Sequence, residues 1–180
     1  MCAQGKLEEA EQHFKWSIDI HPGHGEALNN MALLRLNRGD AAGALKYSEQ
    51  ALEVWGTAPE VHMTAGRVLM AMNRGPQAIE RLEEAVRLKT DWAGPHFWLG
   101  LALAQHGQAD RARQSLATAV RLDPENADFR IALGRLHALQ GRHIDAIEQL
   151  REAARLRPQD KEIGAALSAE MAKVPGIGGR

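Results

Sequence analysis

Eight histidines in a chain of 180 residues are the first candidates for chemistry. His21 and His24 lie three apart, with Asp19 close by. Two imidazoles and a carboxylate brought together would bind a metal such as zinc. Here the histidines flank Pro22 and Gly23, which mark a turn rather than a helix face. No cysteine pair and no His-Glu-x-x-His run supports zinc, so the two read as exposed turn histidines. His62 and His96 are 34 residues apart and read as filling equivalent niches between helices. The same reading covers His106, His137 and His143, and no metal is expected.

Nucleophilic chemistry has no better footing. Serines, histidines and aspartates are present, but no nucleophile elbow, phosphate loop or nucleotide fingerprint orders them. The glycine-rich run 175–180 (PGIGGR) is followed by no helix that could offer its N-terminus to a phosphate. It reads as a flexible tail or the start of a linker. The chain is therefore expected to be no enzyme and to need no cofactor.

The remaining candidates bind rather than react: Trp98, Phe97, Met63, Met70, Arg67 and Arg135. Methionine adapts to varied partners, and Trp and Arg dominate binding hot spots. Whether such residues share a surface depends on the elements that carry them, and those follow from a repeat. Ala10, Ala44, Ala78, Ala112 and Ala146 are each 34 residues apart. So are Ser17, Ala51, Ala85, Ala119 and Ala153, and so are Gly5, Gly39, Asn73, Gly107 and Gly141. A fourth small column is Ala32, Gly66, Gly100, Gly134 and Ser168, and an apolar one is Ile20, Val54, Leu88, Leu122 and Leu156.

Within each unit apolar residues recur at helical spacing, as at Leu99 and Leu103, then Leu116 and Val120. Two helices of about 13 residues, tightly joined, make an antiparallel hairpin. Gly107 and Gly141 stand where the first helix ends and a left-handed residue is favoured, with Asn73 as the usual substitute. Alanines seven apart on the second helix let helices interlock closely. Asp123-Pro124 and Arg157-Pro158 end the second helix.

The segments 98–126 (WLGLALAQHGQADRARQSLATAVRLDPEN) and 133–160 carry a Leu-Gly, Gly, Ala, Ala and Pro signature that resembles the tetratricopeptide repeat. The resemblance implies an all-α fold, a right-handed α-solenoid of antiparallel helix pairs. It places complete units at 25–58, 59–92, 93–126 and 127–160. Residues 1–24 then match a partial leading repeat, the end of a first helix and a full second helix. Residues 161–173 match a capping helix, and 174–180 a tail. Two departures stand out. The family's bulky fourth position is Leu28, His62, His96 and Arg130, and its usual aromatic midway along the second helix is Ser48 in the first complete unit.

In the family, first helices line a concave groove. Carried over unit by unit, that implies groove positions at Asn29, Asn30, Leu33, Leu36 and Asn37, at Met63, Thr64, Arg67, Met70 and Ala71, at Phe97, Trp98, Leu101, Ala104 and Gln105, and at Ile131, Ala132, Arg135, Ala138 and Leu139. The family's chaperone-binding members grip a terminal carboxylate with Lys, Asn and Arg. The corresponding sites here are Asn29, Leu33, Thr64, Gly94 and Trp98, so that ligand is not expected. The asparagine ladder of glycosyltransferase-associated members is matched only by Asn30.

A formal net charge of −1 argues against a general nucleic-acid or anionic-membrane binder. No apolar run of membrane-spanning length occurs, and the lone Cys2 forms no intrachain disulfide. The start lacks a signal-peptide pattern, and a cytoplasmic location is the expectation. The reading is a protein–protein interaction scaffold that holds a peptide segment or helix of a partner in the groove. The alternative is the targeting domain of a larger glycosyl- or sulfotransferase-type enzyme or assembly factor. Self-association is a third expectation, through Leu7, Phe14 and Ile18 of the leading half-unit. The mid-repeat start carries the expectation of missing sequence upstream.

Overall fold

The computed structural model describes residues 2–175, with side chains from residue 8 onward. Its described residues form helices and no strands. They fall into two compact units, Met1–Thr90 and Asp91–Arg180. The N-terminal unit holds α1 (Cys2–Ile20), α2 (Gly25–Asn37), α3 (Ala41–Trp55), α4 (Pro59–Ala71) and α5 (Gly75–Leu88). The C-terminal unit holds α6 (Ala93–Gln105), α7 (Ala109–Leu122), α8 (Ala127–Leu139), α9 (His143–Leu156) and α10 (Lys161–Met171). No helix among the described residues is long and apolar enough to cross a membrane.

Four hairpins pair α2 with α3, α4 with α5, α6 with α7 and α8 with α9. Each turn is closed by one left-handed residue: Gly39 (φ 79°), Asn73 (φ 57°), Gly107 (φ 71°) and Gly141 (φ 72°). The hydrogen bonds explain the requirement. Asp40 N–H reaches back to Arg35 O at 2.9 Å and Gly39 N–H to Leu36 O at 2.9 Å. The same pair recurs as Arg74 to Leu69 and Asn73 to Met70, as Gln108 to Leu103 and Gly107 to Ala104, and as Arg142 to His137 and Gly141 to Ala138. These bonds satisfy helix-end carbonyls that would otherwise be orphaned. Gly5, in the same sequence column, does not end a helix, because α1 runs unbroken from Cys2 to Ile20.

The small columns are the seams of the hairpins. Ala44, Ala51, Ala78, Ala85, Ala112, Ala119, Ala146 and Ala153 are all fully buried. On the facing helix, a Cβ built on Gly66 would lie 2.5 Å from Leu82 Cγ, and one on Gly100 would lie 2.6 Å from Leu116 Cγ. At Gly134 the corresponding approach, to Leu150 Cγ, is 3.1 Å. Each leucine thus fills the notch that its glycine leaves. The first hairpin holds Ala32 and Ser48 at these two positions, both buried. The larger residue on α2 goes with the smaller one on α3. Ser48 Oγ is satisfied by donating to Leu45 O at 2.9 Å, and a cavity of about 140 Å³ opens beside it, bordered by Leu45, Leu52, Ala65 and Leu69.

Each unit has its own core. In the N-terminal unit Leu28, Ala51, Ala58 and Val61 cluster, with Ile18, Tyr47, Leu52 and Trp55 packed against them. In the C-terminal unit Ala93, Ala119 and Phe129 cluster, with Phe97, Val120 and Leu122 packed against them. Glu11 of α1 is an ion-pair partner of both Arg35 and Arg38 at the end of α2. At the other end of the chain, the buried carboxylate of Glu170 on α10 lies 2.7 Å from His143 Nδ1 and 2.7 Å from Lys173 Nζ. Together with Ile163, it is what α10 buries.

Candidate functional site

Helix α6 is apolar nearly all round, and its two faces are used differently. Leu99, Gly100, Ala102 and Leu103 are buried. Phe97, Trp98, Leu101 and Ala104 are only partly covered, and they fall at one- and two-turn spacing. Helix α8 repeats the division. Leu133, Gly134, Leu136 and His137 are buried, while Ile131, Ala132, Arg135 and Leu139 are wholly or partly open.

The open faces of α6 and α8 meet in a cleft of about 530 Å³. Its walls include Phe97, Trp98, Leu101, Ile131, Arg135 and Leu139. The structure therefore brings Phe97, Trp98, Leu101 and Arg135 together around one concavity. Phe97 is fixed from two sides. Its ring centroid lies 5.2 Å from that of Trp98, edge-on at 68°, and 4.8 Å from that of Phe129. It is thus half wall and half core, an arrangement that holds the Trp98 side of the cleft in place. Leu139, at the far end of α8, is 86% exposed.

The charges around the cleft are unequal. Asp128, on its rim, is held by Arg157, whose Nη1 and Nη2 donate to its two carboxylate oxygens at 2.8 and 2.7 Å. That fork holds the Asp128 carboxyl below the usual carboxylate range. Arg135 is exposed and takes part in no ion pair among the described residues. The site is chemically an apolar trough with one available cation.

The other sequence-predicted positions belong to the N-terminal unit. Asn30 and Leu33 are half-buried on α2, and Asn37 is exposed at its last residue. Met63, Arg67 and Met70 are half-buried on α4, which packs directly on α2. Arg67 occupies the same repeat position as Arg135 but a different environment, and burial pushes its guanidinium below its ordinary value. Asn29 and Thr64, also expected on the groove, are instead core residues at 5% and 0% exposure, because the packing of α4 on α2 covers them. His62 is buried too, its Nε2 lying 2.8 Å from Gly56 O. His24 Nδ1 lies 2.5 Å from Ser17 Oγ, a local contact across the first turn.

Sequence reasoning missed several contributors. Leu116, Leu136 and Asp128 also border the cleft. Leu136 had a signal, since it follows Ala132 by one turn. Asp128 had none, because its partner Arg157 is 29 residues away. On α1, Ile18 is engaged in the core, whereas Trp16 (67% exposed) and Ile20 (48% exposed) are the open apolar residues. Leu7 lies outside the residues whose side chains are described.

Comparison with known proteins adds a family context. Models of the tetratricopeptide repeat match residues 3–59 and 97–161, and a second such model matches 35–102. Tetratricopeptide repeat protein 36 of Bos taurus is 34% identical over 93 residues, which are 49% of this chain and 50% of that protein. The chain thus spans about half the length of this curated relative. Among solved structures, the chain is similar to TTC0263, a thermophilic TPR protein of Thermus thermophilus, at 24% identity and a TM-score of 0.80. That match covers 94% of this chain and 93% of the other. It is similar to YrrB, described as a TPR protein with an unusual peptide-binding site, at 22% identity and a TM-score of 0.71, covering 92% and 85% of the two chains. MamA residues 41 to the end, from Desulfovibrio magneticus RS-1, is 26% identical with a TM-score of 0.73, covering 88% and 90%. The first two likenesses establish the all-α helix-pair fold and nothing finer.

Proposed function

Because this chain belongs to the tetratricopeptide repeat family, we propose that it is a non-catalytic scaffold that holds a peptide segment or helix of a partner protein. The observation that carries the proposal is the cleft between α6 and α8, with its aromatic wall of Phe97 and Trp98 and its open cation, Arg135. Covering such a wall removes apolar area from water at roughly 25 cal/mol per Å². The peptide-binding site named for YrrB is a property of that protein, and it lends support here only through shared fold. Met63, Arg67 and Met70 of α4, with Asn30, Leu33 and Asn37 of α2, are proposed as a second stretch of partner-contacting surface.

The test is capture of partners by the intact chain, repeated with Trp98→Ala and Arg67→Ala. Trp98→Ala is expected to weaken capture by about 2 kcal/mol or more while the helices persist. A Trp98→Ala variant that melts out instead would make Trp98 a packing residue and remove the main support for the reading.

Self-association is a second reading, favoured by one observation: Trp16 and Ile20 expose a large part of their apolar surface on α1. Light scattering at high concentration tests it. A mass that rises with concentration and falls back in Trp16→Ser supports it, and a clean monomer removes it.

A further inference from the structure

Of the α8 residues that border the cleft, four fall in one row at intervals of three or four: Asp128, Ile131, Arg135 and Leu139. At 1.5 Å rise per residue they form one stripe with steps of about 5–6 Å. The stripe has a charge pattern. Asp128 is already neutralised by the two-pronged contact from Arg157. Ile131 is apolar, Arg135 is cationic, and Leu139 is apolar and 86% exposed. Other cations of this unit are engaged within the chain: Arg113 with Asp110, Arg142 with Asp145, Arg155 with Glu152 and Glu125, Arg157 with Asp128, and Lys173 with Glu170. Arg135 takes part in no ion pair among the described residues.

Any segment that covers Ile131 and Leu139 must also cover Arg135, which stands between them. Covering it takes a guanidinium out of water. That is unfavourable unless a partner acceptor replaces the lost hydration. A carboxylate does so best, because it meets the planar fork with paired charge-assisted hydrogen bonds. A basic residue there would add like-charge repulsion. We infer, resting on the reading that this cleft holds a partner, that its occupant carries one acidic side chain flanked on both sides by large apolar ones, and that Arg135 selects it. The half-buried Arg67 does not play this part, since its surroundings already partly desolvate it.

The test is selection of a displayed library of short random peptides on the intact chain, on Arg135→Glu and on Ile131→Asp, each first checked for an unchanged helical melt. Peptides enriched on the wild type are expected to carry Asp or Glu between apolar residues and to lose about ten-fold or more in affinity for Arg135→Glu. Arg135→Glu is expected to enrich Lys or Arg at the same place. Enriched peptides without an acidic residue, lost on Ile131→Asp but indifferent to Arg135→Glu, would overturn this inference and leave the cleft reading standing. Peptides that bind Ile131→Asp as well as wild type would overturn both.

Discussion

Leu116 of α7 seats its branched end in the notch left by Gly100 of α6, so closely that a Cβ on Gly100 would lie 2.6 Å from Leu116 Cγ and 3.2 Å from Ala112 O. Helix propensity alone would reward Gly100→Ala by about 1 kcal/mol. The collision reverses the sign, because overpacking a seam costs about 1–3 kcal/mol. Gly100→Ala and Gly66→Ala are therefore expected to lower the unfolding free energy. Gly134→Ala is expected to cost less, since its nearest approach is 3.1 Å. Urea unfolding of the three single variants ranks them.

The first hairpin allows a reciprocal exchange. Ala32 and Ser48 take the places that glycine and leucine hold in the other three hairpins. Ser48→Leu alone is expected to strain against Ala32, and Ala32→Gly alone to lose helix propensity and leave a gap. Together they rebuild the pairing of the other hairpins and fill the cavity of about 140 Å³ beside Ser48. The double variant should exceed the sum of the singles by about 1 kcal/mol or more in a double-mutant cycle. Strict additivity would mean that the two side chains do not share a notch.

Stability should fall as pH falls, in two separable steps. Burial holds the His137 imidazole below its ordinary 6.5. The folded state then favours neutral histidine, so this contribution is full above pH 6.5 and is lost as the pH drops below it. Lys173 and then His143 hold the Glu170 carboxyl below its ordinary 4.5. Its contribution is full above that value and is lost as the pH falls through the lowered one. Melting temperatures across a pH series check both. Replacing His137 with Leu should flatten the upper part of the slope, and Glu170→Gln should flatten the lower part.

Much of this was legible in the chain itself, for a physical reason. A left-handed turn residue has to be Gly or Asn, and a helix seam has to be small, so a period of 34 in such residues writes out the hairpins. Placing Phe97, Trp98, Leu101 and Arg135 on a shared groove took that period together with the groove that the family resemblance implies. What the period could not convey was depth. Asn29 and Thr64 look polar and surface-like but are buried, because the packing of α4 on α2 and α3 sets their cover rather than their type. Pairs such as His143 with Glu170 and Asp128 with Arg157 were also hidden. They are 27 and 29 residues apart, off the repeat period, and depend on how one turn meets the next helix. The continuity of α1 through Gly5 shows the limit of a column read alone, since a glycine ends a helix only where a turn follows.

The anchoring of the aromatic wall makes a further prediction. Phe97 leans on Phe129, and Phe129 is 8% exposed in the core of its unit. Phe129→Leu should cost about 1 kcal/mol of stability, and it should loosen Trp98 without touching it. The fluorescence of the chain reports the change, with Trp16, Trp55 and Trp92 replaced together by Phe to isolate Trp98.

The central claim is that the α6–α8 face receives a partner protein. Photo-crosslinking tests it most directly, with the crosslinking side chain placed at Leu139 on that face or at the exposed Gln114 of α7. The account predicts protein adducts from Leu139, diminished by Trp98→Ala, and none from Gln114. Adducts from Gln114 with none from Leu139 would contradict it.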